Sequence, residues 1–102
     1  MDEVKVIWTH IAVRQRNLIF DYWNNRNKST AYSKKLKLLL KQKTNIIKEH
    51  SDIGKHIKHS SLRVLFFSNY SIIYTKDIGH IYIMGFWDNR QNPRKLHDLL
   101  GL

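Results

Sequence analysis

The side chains that could do chemistry in this chain are a set of cations and histidines in its second half. Lys55, Lys58, Arg63, Arg90 and Arg94 supply positive charge, and His56, His59, His80 and Tyr82 can give or take a proton. Together such groups could cut RNA without a metal. That reaction needs a base for the 2′-hydroxyl, cations for the pentacovalent phosphate and an acid for the leaving oxygen. Each of these residue types is common on a basic surface, so the set is permissive and marks no site by itself. Sharper signatures are missing. The four glycines are scattered and form no phosphate loop. There is no Gly-x-Ser-x-Gly, no His-Glu-x-x-His and no paired-carboxylate motif among the eight acidic residues. His56 and His59 stand three apart with His50 nearby, but no cluster recurs at ligand spacing. Neither a metal nor another cofactor is expected.

Arg63 and Arg90 stand apart because both are embedded in strand-like sequence, where an arginine is least expected. Two readings stay open. Each could be tied into an ion pair, with Asp88 or Asp77 as acceptor, or could be held on a rigid sheet to meet a phosphate or carboxylate. Arg90 lies in Trp87-Asp88-Asn89-Arg90-Gln91-Asn92-Pro93, a basic, amide-rich segment at the exit of an apolar run. Arg63, Trp87, Arg90, Gln91 and Arg94 are therefore the candidate functional surface.

The whole chain sets the frame. Its 102 residues allow one domain, spanning 1–102, with one modest core. Eighteen Lys and Arg against eight Asp and Glu give a net charge of +10, a field that favours polyanionic partners such as nucleic acid, the ribosome or an acidic protein. Cysteine is absent, so disulfides and thiolate zinc sites are excluded. No apolar stretch approaches the ~18 residues of a membrane span, and no membrane partner is expected. The N-terminus begins acidic and lacks an apolar signal core, so a cytoplasmic location is the expectation.

The elements that must position these side chains follow from periodicity. Val4 to Trp8 alternates as a first strand, and Thr9 offers an N-cap. Ile11, Ala12, Leu18, Ile19, Tyr22 and Trp23 then recur at helical spacing, until Asn24 to Asn27 should end the helix. Ser29 or Thr30 restarts a helix carrying Tyr32, Leu36, Leu39, Leu40, Ile46 and Ile47 on one face and Lys34, Lys37, Lys41 and Lys48 on another. Strands return near 62–67, 70–75 and 80–87 on short turns, and Pro93 stops the last. The order β-α-α-β-β-β is an α+β fold, with a helical hairpin over roughly 10–49 packed on one face of a small antiparallel sheet. The strands are apolar on both faces. Leu62, Val64 and Phe66 oppose Leu65 and Phe67, and Ile81 and Ile83 oppose Tyr82, Met84 and Phe86. The second face needs a cover, either a partner chain or the tail with the 50–61 loop.

The chain also resembles the RelE/ParE superfamily of type II toxin–antitoxin toxins, a group that includes plasmid stabilisation proteins. The matching residues are Trp8-Thr9 with Ala12, Ala31 at the second helix, Ile53-Gly54, and Arg63 ahead of a strand running from Tyr70 to Tyr74. The close, Phe86-Trp87-Asp88-Asn89-Arg90-Gln91-Asn92-Pro93-Arg94-Lys95-Leu96, resembles one branch's ending. The resemblance implies a growth-inhibiting toxin neutralised by a cognate acidic antitoxin in a hetero-oligomer. It also implies one of two targets: DNA gyrase, bound without chemistry by ParE-like members, or ribosome-bound mRNA, cut by RelE-like endoribonucleases without a metal. RelE-like members carry an arginine just after the first tyrosine of that strand, and here the position is Ser71. The long hairpin likewise favours the ParE-like branch. If the chain is a nuclease, Arg63, Arg90 and His80 are the expected catalytic set. An inactive paralogue that only binds antitoxin is the third reading.

Overall fold

The computed structural model describes residues 3–101, with Leu99 described in its backbone alone. Strand β1 (Lys5–Trp8) leads into helix α1 (His10–Asn27) and helix α2 (Ala31–Glu49). A two-residue strand β2 (Lys55–His56) follows, then β3 (Arg63–Phe67), β4 (Tyr70–Asp77), β5 (His80–Asp88) and helix α3 (Pro93–Leu100). The sheet order is β1-β5-β4-β3-β2. The α+β architecture and the element order agree with the sequence reading, but the sheet is mixed rather than antiparallel. β1 runs parallel to β5, with Val6 opposite Ile81, because the helical hairpin carries the chain across and returns it in the same sense. No described helix is long and apolar enough to cross a membrane.

Local chemistry sets the helix ends. The Thr9 hydroxyl accepts the Ala12 N–H at 3.3 Å and donates to the Ile83 carbonyl at 3.0 Å, so one side chain caps α1 and pins it to β5. α1 runs through the asparagines at 24–27 and ends on the last of them. The Ser33 hydroxyl donates to Asn24 Oδ1 at 2.7 Å, and this tie to α2 keeps the last turn helical until Lys28 turns left-handed at φ 53°. Thr30 occupies the cap position of α2, while it is the Ser29 hydroxyl that accepts the Ala31 N–H, at 3.1 Å. Two-residue turns join the last three strands. Ser68 adopts φ 51° in the first and Gly79 φ 75° in the second, and β4 runs on to Asp77, shortening the second turn to Ile78-Gly79.

One irregularity decides which side chains face the helices. Ile73 pairs with Gly85 but Tyr74 pairs with Ile83, so Met84 is an extra residue in β5. Such a bulge switches the side-chain alternation. Ile81 and Ile83 face the hairpin before it, and Phe86 joins them after it, contrary to the uninterrupted alternation expected from sequence. Phe86 packs beside Tyr70 with ring centroids 5.2 Å apart. Trp87 turns to the other face, with Leu62, Ile73 and Leu96. The tail and the 50–61 loop cover this second face, through Leu96, Leu100 and Ile57, although Phe66 at its rim stays 60% exposed.

The 50s loop hangs on Tyr74. Its hydroxyl accepts the Gly54 N–H at 2.9 Å and donates to the Ser51 carbonyl at 2.8 Å, and burial raises its pKa so that it stays a donor. A Cβ on Gly54 would come within 2.7 Å of that ring. Gly54→Ala is therefore expected to cost about 1–3 kcal/mol by overpacking. Tyr74→Phe, which strands two backbone groups, should cost about 1–3 kcal/mol as well. Urea denaturation with an unchanged m value checks both, and wild-type midpoints would refute this account of the loop.

Candidate functional site

The sheet scatters the expected nuclease set. Tyr70 pairs with Asp88 at one end of the β4–β5 ladder and Asp77 pairs with His80 at the other. That is seven residues along β4, or about 23 Å at ~3.3 Å per residue. His80 therefore lies far from Arg90, and it faces away from the hairpin, its ring stacked on Tyr82 at 5.8 Å. Arg63 sits between these ends, opposite Tyr74. Its guanidinium donates to the Gly54 carbonyl at 2.8 Å and lies 3.6 Å from the Asp52 carboxylate, so its acid partner is neither Asp88 nor Asp77. The histidine that the structure does place beside Arg63 is His56, its partner across the β2–β3 ladder. The His56 ring is occupied by the Ser60 carbonyl at 2.6 Å. Lys55 and Lys58 are exposed nearby, and among the described residues no three His, Asp or Glu gather as a metal site would require.

Arg90, by contrast, is paired as one of the open readings had it. Its Nε and Nη2 donate to the two Asp88 carboxylate oxygens at 2.9 and 2.6 Å, and its backbone N–H adds a third bond to Asp88 at 2.9 Å. This bidentate contact holds the Asp88 carboxyl below its ordinary pKa and raises that of the guanidinium. The clasped guanidinium lies over the Trp23 ring, 5.3 Å from its centroid. The neighbouring residues of the segment serve the fold. Trp87 is buried in the second core, the Ser71 hydroxyl donates to Asn89 Oδ1 at 2.5 Å, and Asn92 caps α3 by accepting the Arg94 N–H at 3.0 Å. Gln91 and Arg94 are exposed.

Between α1 and the end of β5 opens a groove of about 470 Å³. Leu18, Ile19, Tyr22 and Trp23 form one wall, and Phe86, Trp87 and Gln91 form the other. Arg26 and Arg90 flank it, with Arg26 5.8 Å from the Trp23 centroid and bonded to the Tyr22 hydroxyl at 3.1 Å. Leu18 is 61% exposed and Tyr22 53%, although both belong to the stripe expected to be core. The helix buries Ala12, Gln15, Ile19 and Phe20 instead. Gln15 was missed by sequence reasoning. Its Oε1 accepts the Phe86 N–H at 2.8 Å, and its Nε2 is buried without a partner. The signal was present: Gln15 stands three residues after Ala12 and four before Ile19, in register with the buried stripe. Arg26 was also missed, hidden among the asparagines that were expected to be a turn.

The family model for the ParE toxin of type II toxin-antitoxin system, parDE, matches residues 6–93. The fold is similar to a solved chain of the chromosomal ParDE TA system from P. aeruginosa, with a TM-score of 0.70 at 14% identity, covering 82% of this chain and 94% of that one. No curated protein matches the sequence.

The clasp between Asp88 and Arg90 has a pH signature. The Asp88 carboxyl has a lower pKa folded than unfolded, so its stabilisation is complete above the ordinary carboxylate pKa near 4 and is lost as pH falls through the lowered folded value. Arg90 is half exposed, which limits the pair to about 1 kcal/mol. Asp88→Asn should cost about that much at pH 7 and flatten the fall in stability as pH drops below about 4. Urea titrations at a series of pH values measure it, and an unchanged acid limb would show that the pair contributes nothing.

Proposed function

This chain belongs to the ParE toxins of type II toxin–antitoxin systems, and on that premise we propose that it arrests growth by binding DNA gyrase, with no chemistry of its own, while an acidic antitoxin holds it inactive. The observation that carries the non-hydrolytic reading is the separation of Arg63, His80 and Arg90, together with the engagement of both arginines in the fold. Phosphoryl chemistry needs its cations and proton donors converged within hydrogen-bonding reach of one phosphate. Ser71 supports the same reading. The resemblance places a nuclease arginine there, and the serine is 3% exposed and bonded to Asn89.

The groove beside α1 supports the antitoxin. An amphipathic helix reads as a row of apolar anchors at i, i+3 or i+4 and i+7, and Leu18, Tyr22 and Trp23 offer the matching surface. Arg26 at its rim favours an acidic residue on the incoming helix, Arg90 being already paired with Asp88, and the charge of +10 speeds the encounter. A second reading, a ribosome-dependent mRNA interferase, rests on the pairing of His56 beside Arg63.

Inducible expression with two readouts separates these. The expected outcome is growth arrest with gyrase-dependent DNA breaks and intact transcripts. Cleavage of messages at ribosomal A-site codons, abolished by Arg63→Ala or Arg90→Ala, would replace it with the interferase reading. Normal growth with antitoxin binding retained would leave an inactive partner. Leu18→Glu combined with Tyr22→Glu should weaken the antitoxin complex by about 100-fold, or about 2.7 kcal/mol, by calorimetry. Unchanged affinity would move the antitoxin off this groove.

A further inference from the structure

A second depression lies on the other flank of α1, where α1, α2 and the end of β1 meet. It measures about 390 Å³ and is lined by Trp8, Arg16, Phe20, Lys37 and Lys41, with Asn17, Leu40 and Thr44 completing it. Among the described residues no carboxylate lines it. The Arg16 guanidinium lies 4.7 Å from the Trp8 ring centroid and Lys37 Nζ 5.3 Å from that of Phe20, so the aromatics hold the cations in place and leave their hydrogen-bonding groups free. Among the described residues Arg16, Lys37 and Lys41 make no ion pair, and Arg16 Nε is a buried donor without an acceptor. Three converging cations and an orphaned donor are the chemistry of an anion site. From it, Lys34, Lys37 and Lys41 run along one face of α2 for about 10 Å.

We infer that this flank binds the phosphate backbone of duplex DNA. An acidic protein segment is less well matched here than in the groove on the opposite flank, because Trp8 and Phe20 are roofed by cations and no large exposed hydrophobic lines the depression. Single-stranded nucleic acid fits poorly for a related reason. It is gripped by stacking bases on open aromatic faces, and Phe20 is buried at 7% exposure while Trp8 is covered by Arg16. A duplex presents about one charge per 1.7 Å, so a row of cations about 10 Å long on one helix face meets several phosphates without reading a base. The inference does not rest on the identity of the toxin's target.

Fluorescence anisotropy of the full chain with a labelled duplex of about 20 base pairs tests it, titrated from about 50 to 200 mM salt. Lys37→Gln with Lys41→Gln should lower affinity at least about tenfold and flatten the log–log salt slope by about two units. Lys55→Gln with Lys58→Gln, equal in charge and on the β2 side, should stay within about twofold of wild type. All four lysines are exposed, so circular dichroism should show the native fold in each variant. Equal losses in the two double variants would mean diffuse charge and overturn the site. So would absent duplex binding, or tighter Lys37- and Lys41-dependent binding of single-stranded RNA or poly-glutamate. Growth arrest and antitoxin affinity are measured separately, so failure here leaves the toxin reading standing.

Discussion

The hydrogen bond from the Phe86 N–H to Gln15 Oε1 is the contact on which the arrangement of the chain depends. It lies just past the extra residue in β5, where the strand changes which side chains it sends to the helices. A backbone donor buried beside a bulge needs an acceptor, and a core helix rarely offers one. Gln15 does, from 71 residues away in sequence. Gly85 makes the approach possible, since a Cβ there would already sit 3.3 Å from that oxygen. Once α1 is fixed at this point, Phe86 completes the aromatic cluster with Tyr70 and Phe67, Trp87 crosses to the second face, and Asp88 arrives on the hairpin side. The Asp88–Arg90 clasp and the Trp23 contact follow from that register. Without the extra residue, Asp88 would point away from α1 and the groove would lose its basic rim.

Helix α1 has two unlike flanks. One carries Leu18 and Tyr22, exposed beside the end of β5. The other carries Arg16 and Asn17 beside α2. Residues two apart on a helix point about 200° from each other, so Arg16 and Leu18 cannot serve the same surface. The core takes the face between them through Ala12, Gln15 and Ile19. A single helix thus serves the core and two surfaces of opposite chemistry, which is why its apolar periodicity is poor. Leu18 and Tyr22 fall on helical spacing with Ile11, yet they are surface, and Gln15 is core.

That mixture explains what could be read from the sequence. The order of elements was legible because Thr9, Ser29 and Pro93 mark boundaries chemically and turn residues separate the apolar runs of the last three strands. The arginine pair was half legible. An acid two residues from Arg90 in a strand end is a local partner, and it is the one used. Arg63 instead pairs with Asp52, eleven residues away, through a loop whose path no local pattern encodes. The bulge was not legible at all. Ile81 to Phe86 is apolar at every side-chain-bearing position, so nothing in the pattern distinguishes one register from the other. The parallel pairing of β1 was hidden for the same kind of reason, since it is decided by the crossover and not by the strand's own residues.

The distribution of charge separates structure from recognition. On the sheet side, three cations are matched. Arg63 and Lys76 share Asp52, and Arg90 holds Asp88. On the hairpin, α2 carries Lys34, Lys35, Lys37, Lys41, Lys43 and Lys48 against Glu49 alone, and among the described residues only Lys48 of these reaches a carboxylate, that of Glu3. A net +10 on 102 residues repels itself and weakens the compact state. Pairing the sheet cations limits that cost where the chain must stay rigid. Leaving the hairpin cations unpaired concentrates the field on the surface that meets a polyanion first, and binding one relieves the repulsion. Basicity in this chain is therefore not one property. A smaller part, Arg63, Lys76 and Arg90, ties the 50s loop and the β5 exit to the sheet, and a larger part lies as an open cationic surface on the helices.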